Sequence, residues 1–170
     1  MPSLLKVVKS LCDAQIQAEE NLDVGKNDND EFTSDEVESA LSLLNVLITE
    51  VGGKAYYPYF TLTAQLILPL CAFESSEGVR KAAGKTLPSL LDCLKESQQS
   101  NPVAITETTK GFLSTLFEQI WKEYDPEVIQ DLVYSTKDCI LAIGSFLNPP
   151  EYTILSHQIL KLLLRKIQLI

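Results

Sequence analysis

The chain has 170 residues, of which 45% are hydrophobic and 22% are charged, and its formal net charge is −9 at pH 7. No apolar run approaches the roughly 18 residues that span a bilayer, which argues against a membrane protein. Residues 19–38 carry nine acidic side chains against Lys26 alone, so the charge is concentrated in one stretch. This acidic balance argues against nucleic-acid binding, which needs a basic surface to displace counterions from phosphates.

Apolar residues recur with helical spacing from the start of the chain and predict a first helix at residues 2–13. The acidic stretch that follows, residues 14–32, is predicted to be a flexible loop. The next helix is predicted at 33–51, where Thr33 and Glu36 have the spacing of a capping box. The predicted inner stripe of this helix is Val37, Ala40, Leu41, Leu44, Leu47, Ile48 and Val51.

Two helices with an internal proline follow, one predicted at 55–74 with Pro69 and the other at 77–96 with Pro88. Pro69 should bend its helix, because proline removes one backbone donor and crowds the preceding turn. The predicted inner face of the first of these helices is Tyr59, Leu62, Thr63, Leu66, Ile67 and Leu70, and that of the second is Val79, Ala82, Ala83, Leu90, Leu91 and Leu94.

The last three helices have the clearest predicted starts. Asn101, Asp125 and Asn148 each stand directly before a proline, so a capping side chain precedes a residue preset for the first helical turn. These starts predict helices at residues 102–124, 126–144 and 149–170.

An internal repeat indicates how the helices are arranged. Three of them open with a valine at an equivalent place, Val37, Val79 and Val128, and these valines are 42 and 49 residues apart. A helix-pair period of 40–50 residues is typical of HEAT or armadillo solenoids. The sequence therefore predicts an all-α fold, an α-α superhelix of HEAT repeats with about seven helices in about three and a half repeats over residues 1–170.

The segment LILPLCAFESSEGVRKAAGKTLPSLLDCL carries a proline in its first helix, a short acidic turn, and Val79-Arg80 followed by Ala82-Ala83. With these features the chain resembles the importin-beta (karyopherin-beta) superfamily, most closely its importin beta-3 type. The resemblance covers nearly the whole chain through the order of loose motifs. It implies a fragment of a nuclear transport receptor, found in cytoplasm and nucleus, that binds protein cargo with basic signals, nucleoporins and the GTPase Ran in its GTP form.

In that superfamily the second helix of each repeat lines the concave surface, which implies an inner face formed by residues 33–51, 77–96 and 126–144. Acidic side chains there suit lysine- and arginine-rich signals, although for any single residue the favoured interpretation is that it only solvates a helix face. The candidate partner-binding residues on these helices are Glu38, Asp92, Asp131 and Asp138. The alternative identity is a HEAT scaffold of another kind, such as a phosphatase scaffold subunit or an assembly factor.

The acidic stretch at 19–38 has two interpretations: a disordered connection, or a charged arm that contacts basic cargo through Asp28, Asp30 and Glu31. Arg80 has a structural interpretation, because an arginine at this place in HEAT repeats commonly links neighbouring repeats through an acidic partner.

Nothing in the sequence indicates an enzyme, and no catalytic, cofactor-binding or metal-binding residue is predicted. Gly84-Lys85-Thr86 lacks the earlier glycine of a phosphate-binding loop, since Val79 stands there. His157 is the only histidine, too few for a typical zinc site or a nucleophilic triad. The cysteines are predicted to be buried free thiols in a reducing compartment and are Cys12, Cys71, Cys93 and Cys139.

Overall fold

The structure, a computed structural model, describes residues 6, 9, 10 and 34–167. Within these residues every regular element is helical, which confirms the all-α class. Six helices are found where about seven were predicted, and the predicted helix at 2–13 lies largely outside the described residues. The helices are α1 (Ser34–Val51), α2 (Gly53–Tyr56, the 3₁₀ turn Tyr57–Tyr59 and Phe60–Leu70), α3 (Glu77–Ser97), α4 (Pro102–Lys122), α5 (Pro126–Ile143) and α6 (Pro149–Ile167).

Capping side chains fix the helix starts as predicted. The Oδ1 atom of Asn101 accepts from the backbone N–H of Ala104 at 3.2 Å. Asp125 accepts from two backbone N–H groups at the start of α5, at 2.8 and 3.0 Å. At the start of α6, Asn148 and Glu151 form a reciprocal capping box, with each side chain accepting from the other residue's backbone N–H at 3.0 and 2.9 Å. These caps satisfy donors that the first turn leaves without an intrahelical partner.

The helix predicted at 55–74 was the least accurate of the six. Its first part is interrupted by the 3₁₀ turn that contains Pro58, and its last turn ends at Leu70, directly after Pro69. Leu62 was predicted to face inward but is 44% exposed, and Val51 at the end of α1 is 41% exposed. The buried residues keep helical spacing through the 3₁₀ turn, and the face that they define lies to one side of Leu62; they are Tyr56, Phe60, Thr63, Ile67 and Leu70.

Helix α3 lies at the centre of the fold. It packs along one side against α1 and along another against α5, and it also contacts α2 and α4. Helix α4 packs against α5 and, less extensively, against α6. In the described ranges, α1 and α5 are thus separated by α3, so the three helices form a row with α3 in the middle.

The three helices of this row bury the same pattern of positions. In each, the residues at i, i+4, i+7 and i+11 from the opening valine are at most 3% exposed. Within α1 these are Val37, Leu41, Leu44 and Ile48; within α3 they are Val79, Ala83, Thr86 and Leu90; within α5 they are Val128, Leu132, Ser135 and Cys139. The spacing is that of one helix face, so each helix of the row buries an equivalent face.

Candidate functional site

Two ion pairs join α3 to α5 in a regular register. Lys81 Nζ lies 3.1 Å from Glu127 Oε2, and Lys85 Nζ lies 2.9 Å from Asp131 Oδ2. Both pairs connect residues that are 46 positions apart in the sequence. Lys81 and Lys85 are one helical turn apart on α3, and their partners are one turn apart on α5. Helices α3 and α5 therefore run parallel and side by side, as two helices separated by one antiparallel helix must.

The side chain of Leu132 on α5 lies directly against the backbone of α3 at Gly84. A Cβ atom built there would lie 2.7 Å from Cδ2 of Leu132, which is too close for a normal contact. The sequence Gly84-Lys85-Thr86 is continuous α-helix, so its backbone N–H groups point along the helix axis and cannot surround a phosphate. The glycine thus serves helix packing.

Arg80 makes an ion pair with Glu123, at 2.7 Å between Nε and Oε2. Its Nη1 atom also donates to the carbonyl oxygens of Phe73 and Glu74, at 2.9 and 3.2 Å. The contacts tie the start of α3 to the turn between α2 and α3 and to the turn between α4 and α5. An acidic partner from the next helix pair is therefore present at this arginine.

Three of the four predicted acidic partner-binding residues have intramolecular neighbours, and one of them is Asp138, whose Oδ1 atom lies 3.2 Å from Lys137 Nζ. Asp131 is the partner of Lys85 and is only 25% exposed in its side chain. Glu38 lies against the start of α3, where its carboxylate occupies the place of a Cβ atom at Gly78. A negative charge there is favoured by the helix macrodipole. The predicted loop residues Asp28, Asp30 and Glu31 lie outside the described residues.

Asp92, the fourth predicted acidic residue, lies close enough to Asp138 to be influenced by its charge. Burial raises the pKa of Asp92 above its ordinary value, and the negative charges of Glu96 and Asp138 raise it further, whereas Lys95 lowers it. We call Asp92, Glu96 and Asp138 the acidic patch. It lies towards the carboxyl ends of α3 and α5, and Glu96 is in the last turn of α3, where the helix dipole adds negative potential. A cation placed beside Asp92 would relieve the repulsion that Glu96 and Asp138 exert on its carboxylate.

Glu96 was not among the predicted site residues. The signal that could have found it is its position four residues after Asp92, which places both carboxylates on one side of α3.

The described residues contain no group of three metal-ligating side chains that could hold a metal ion. His157 is exposed on α6. None of the helices in the described ranges has the length and apolar character needed to cross a bilayer.

Comparison with protein-family models gives no match, and comparison with solved structures gives none either. The all-helical architecture is known from the structure itself and not from these comparisons. The resemblance to the importin-beta superfamily stays a prediction from the sequence motifs.

Proposed function

We propose that this chain is a stretch of HEAT-type repeats from a nuclear transport receptor of the importin-beta type. In this proposal it binds proteins by shape and charge, with no chemistry of its own. Its partners are cargo with basic signals, nucleoporins and Ran in its GTP form.

The observation that carries the scaffold part of the proposal is the row α1, α3 and α5. Each helix of the row buries an equivalent face. Two ion pairs between α3 and α5 each join residues that are 46 positions apart in the sequence. A closed bundle would gather all three helices around one centre, whereas here α3 separates the other two. Repetition of one helix-pair unit along an axis accounts for both features.

The transport part rests on the motifs around Val79-Arg80 and on the acidic patch. Basic transport signals would find at Asp92, Glu96 and Asp138 three carboxylates on neighbouring turns of two parallel helices. Because Glu96 and Asp138 repel the Asp92 carboxylate, a cation bound beside Asp92 also removes that repulsion. Asp131 and Asp138 contribute less than Asp92 and Glu96, since Lys85 and Lys137 already pair with them.

The proposal is tested by binding of Ran to the complete gene product and, in parallel, to these 170 residues. We expect retention of Ran loaded with GTP and at least tenfold weaker retention of Ran loaded with GDP. A lysine-rich signal peptide should bind less tightly to the triple variant Asp92→Asn, Glu96→Gln, Asp138→Asn, by tenfold or more at low salt.

The matched control neutralises Glu107 and Glu118, acidic residues of α4 outside the acidic patch, and should leave peptide binding unchanged. If the gene product binds neither Ran nor nucleoporins, the transport assignment fails. The repeated packing would then point to another HEAT scaffold.

A further inference from the structure

An apolar groove of about 350 Å³ runs between α5 and α6 and is closed at its base by α4. Its walls are almost entirely aliphatic or aromatic, and its only charged lining residue in the described part of the chain is Lys137. At its rim, Val133 is 47% exposed and Leu141 is 70% exposed. The walls are formed by Phe117, Ile120, Ile129, Ile140, Ile159 and Leu162.

The groove continues an interface that the molecule already forms. Helix α5 lies against α3 and α4, and on α3 the residue that meets it closely is Gly84. Alignment of the opening valines of α3 and α5 places Val133 of α5 at the position of Gly84. The side of α5 that faces the groove is therefore the equivalent of the side of α3 that receives a parallel helix.

We propose that this groove binds an amphipathic α-helix that is not part of these 170 residues and that lies parallel to α5. The helix presents an apolar face at i, i+4, i+7 and i+11, the pattern that α3 and α5 themselves use to fill equivalent positions. Lys137 at the rim already pairs with Asp138, at 3.2 Å between Nζ and Oδ1, so the helix is recognised through its apolar face. This inference depends on the repeated packing and not on the transport assignment, so it survives a failure to bind Ran.

The apolar walls of the groove favour a helix as its occupant over an extended or strongly charged peptide. An extended or strongly charged peptide would leave the aliphatic walls partly hydrated and would bring unpaired backbone groups into apolar surroundings. A helix satisfies its own backbone hydrogen bonds and buries only its apolar face, as in other helix-in-groove complexes.

The test ligand is a synthetic peptide of residues 126–143 with Cys139→Ser, because α5 is the helix that fills the equivalent position against α3 and α4. Its binding can be followed by the fluorescence of Trp121, the only tryptophan of the chain, which lines an adjoining cavity with Phe117 and Leu162. We expect saturable binding, and at least tenfold weaker binding to Leu141→Asp. A scrambled peptide should not bind.

The matched control is Leu43→Asp on α1, a leucine that is 50% exposed and distant from the groove, and it should bind the peptide normally. Because Leu141 and Leu43 are both exposed, both variants should keep the wild-type circular dichroism. Undiminished binding to Leu141→Asp, or no binding up to about 1 mM peptide, would overturn the proposal. Dimerisation of the wild-type chain that Leu141→Asp abolishes would also overturn it, because the occupant would then be a second copy.

Discussion

Arg80 and Glu123 are 43 residues apart in the sequence, yet their side chains meet at 2.7 Å with only 15% and 12% of their surfaces exposed. Each is held by further hydrogen bonds. Arg80 donates to the carbonyl oxygens of Phe73 and Glu74, and Glu123 accepts from the backbone N–H groups of Tyr124 and Asp125. The pair thus fastens two interhelical turns to one point, and its strength comes from the hydrogen bonds that surround two partly buried charges.

Replacement of Arg80 by Ala should lower the free energy of unfolding by about 2–3 kcal/mol, because it removes the guanidinium from a partly buried carboxylate and from two carbonyl oxygens. Urea denaturation followed by circular dichroism measures this change. The control is Lys122→Ala, which removes an exposed pair with Glu118 whose side chains are 62% and 60% exposed. That change should stay within about 0.5 kcal/mol. Equal effects of the two substitutions would contradict a special role for Arg80.

The same pair should make stability depend on pH. Burial alone would raise the pKa of Glu123, but the N–H groups of Asp125 and Tyr124 and the Arg80 guanidinium outweigh burial and lower the pKa below its ordinary 4.5. A carboxyl whose pKa is lowered by folding stabilises the native state above its unfolded pKa, and this contribution is lost as the pH falls through the folded value.

Glu123→Gln isolates this effect from the other carboxyl groups. The difference in unfolding free energy between wild type and variant should be largest above pH 5 and should shrink steadily as the pH falls below about 4.5. Urea titrations at pH 7, 5, 4 and 3 measure it. A difference that stays constant over this range would show that the charge of Glu123 does not stabilise the fold.

What the sequence predicted correctly was local in origin. Asn101, Asp125 and Asn148 cap helices through backbone groups two or three residues away, so the short motif alone contains the interaction. The prediction for Leu62 was wrong because apolar residues also occupy the exposed side of α2, whose buried face runs through Phe60, Thr63 and Ile67.

Long-range partners could not be read from the sequence in the same way. An acidic partner for Arg80 was expected from the resemblance, but that it is Glu123 follows only from the packing of two turns. Asp131 was predicted to face a partner, whereas the register of α3 and α5 brings Lys85 to it. The helix faces were thus predictable from periodicity, while the pairing of surface charges depends on how far one helix is displaced along another.

The three cysteines in the described residues should react slowly with thiol reagents. Burial raises the pKa of Cys71 to about 12 and that of Cys93 to about 11, and it also raises the pKa of Cys139. Since the thiolate is the reactive species, each should react with Ellman's reagent at pH 8 roughly 100-fold more slowly in the native chain than in urea. The experiment uses Cys12→Ser, so that only these thiols are counted. A thiol that reacts rapidly in the native variant would show that one of the three is accessible.

Two glycines within helices should respond in opposite ways to the same substitution. Gly84→Leu forces a side chain against Leu132 and should lower the free energy of unfolding by about 1–3 kcal/mol through overpacking between α3 and α5. At Gly111 a Cβ atom would meet nothing within 4 Å, so Gly111→Leu in α4 should raise stability by about 0.5–1 kcal/mol through helix propensity. Thermal and urea unfolding measure both changes. If Gly84→Leu were as stable as Gly111→Leu, α3 and α5 would not be in close contact at Gly84. The repeated packing, which depends on that contact, would then be contradicted.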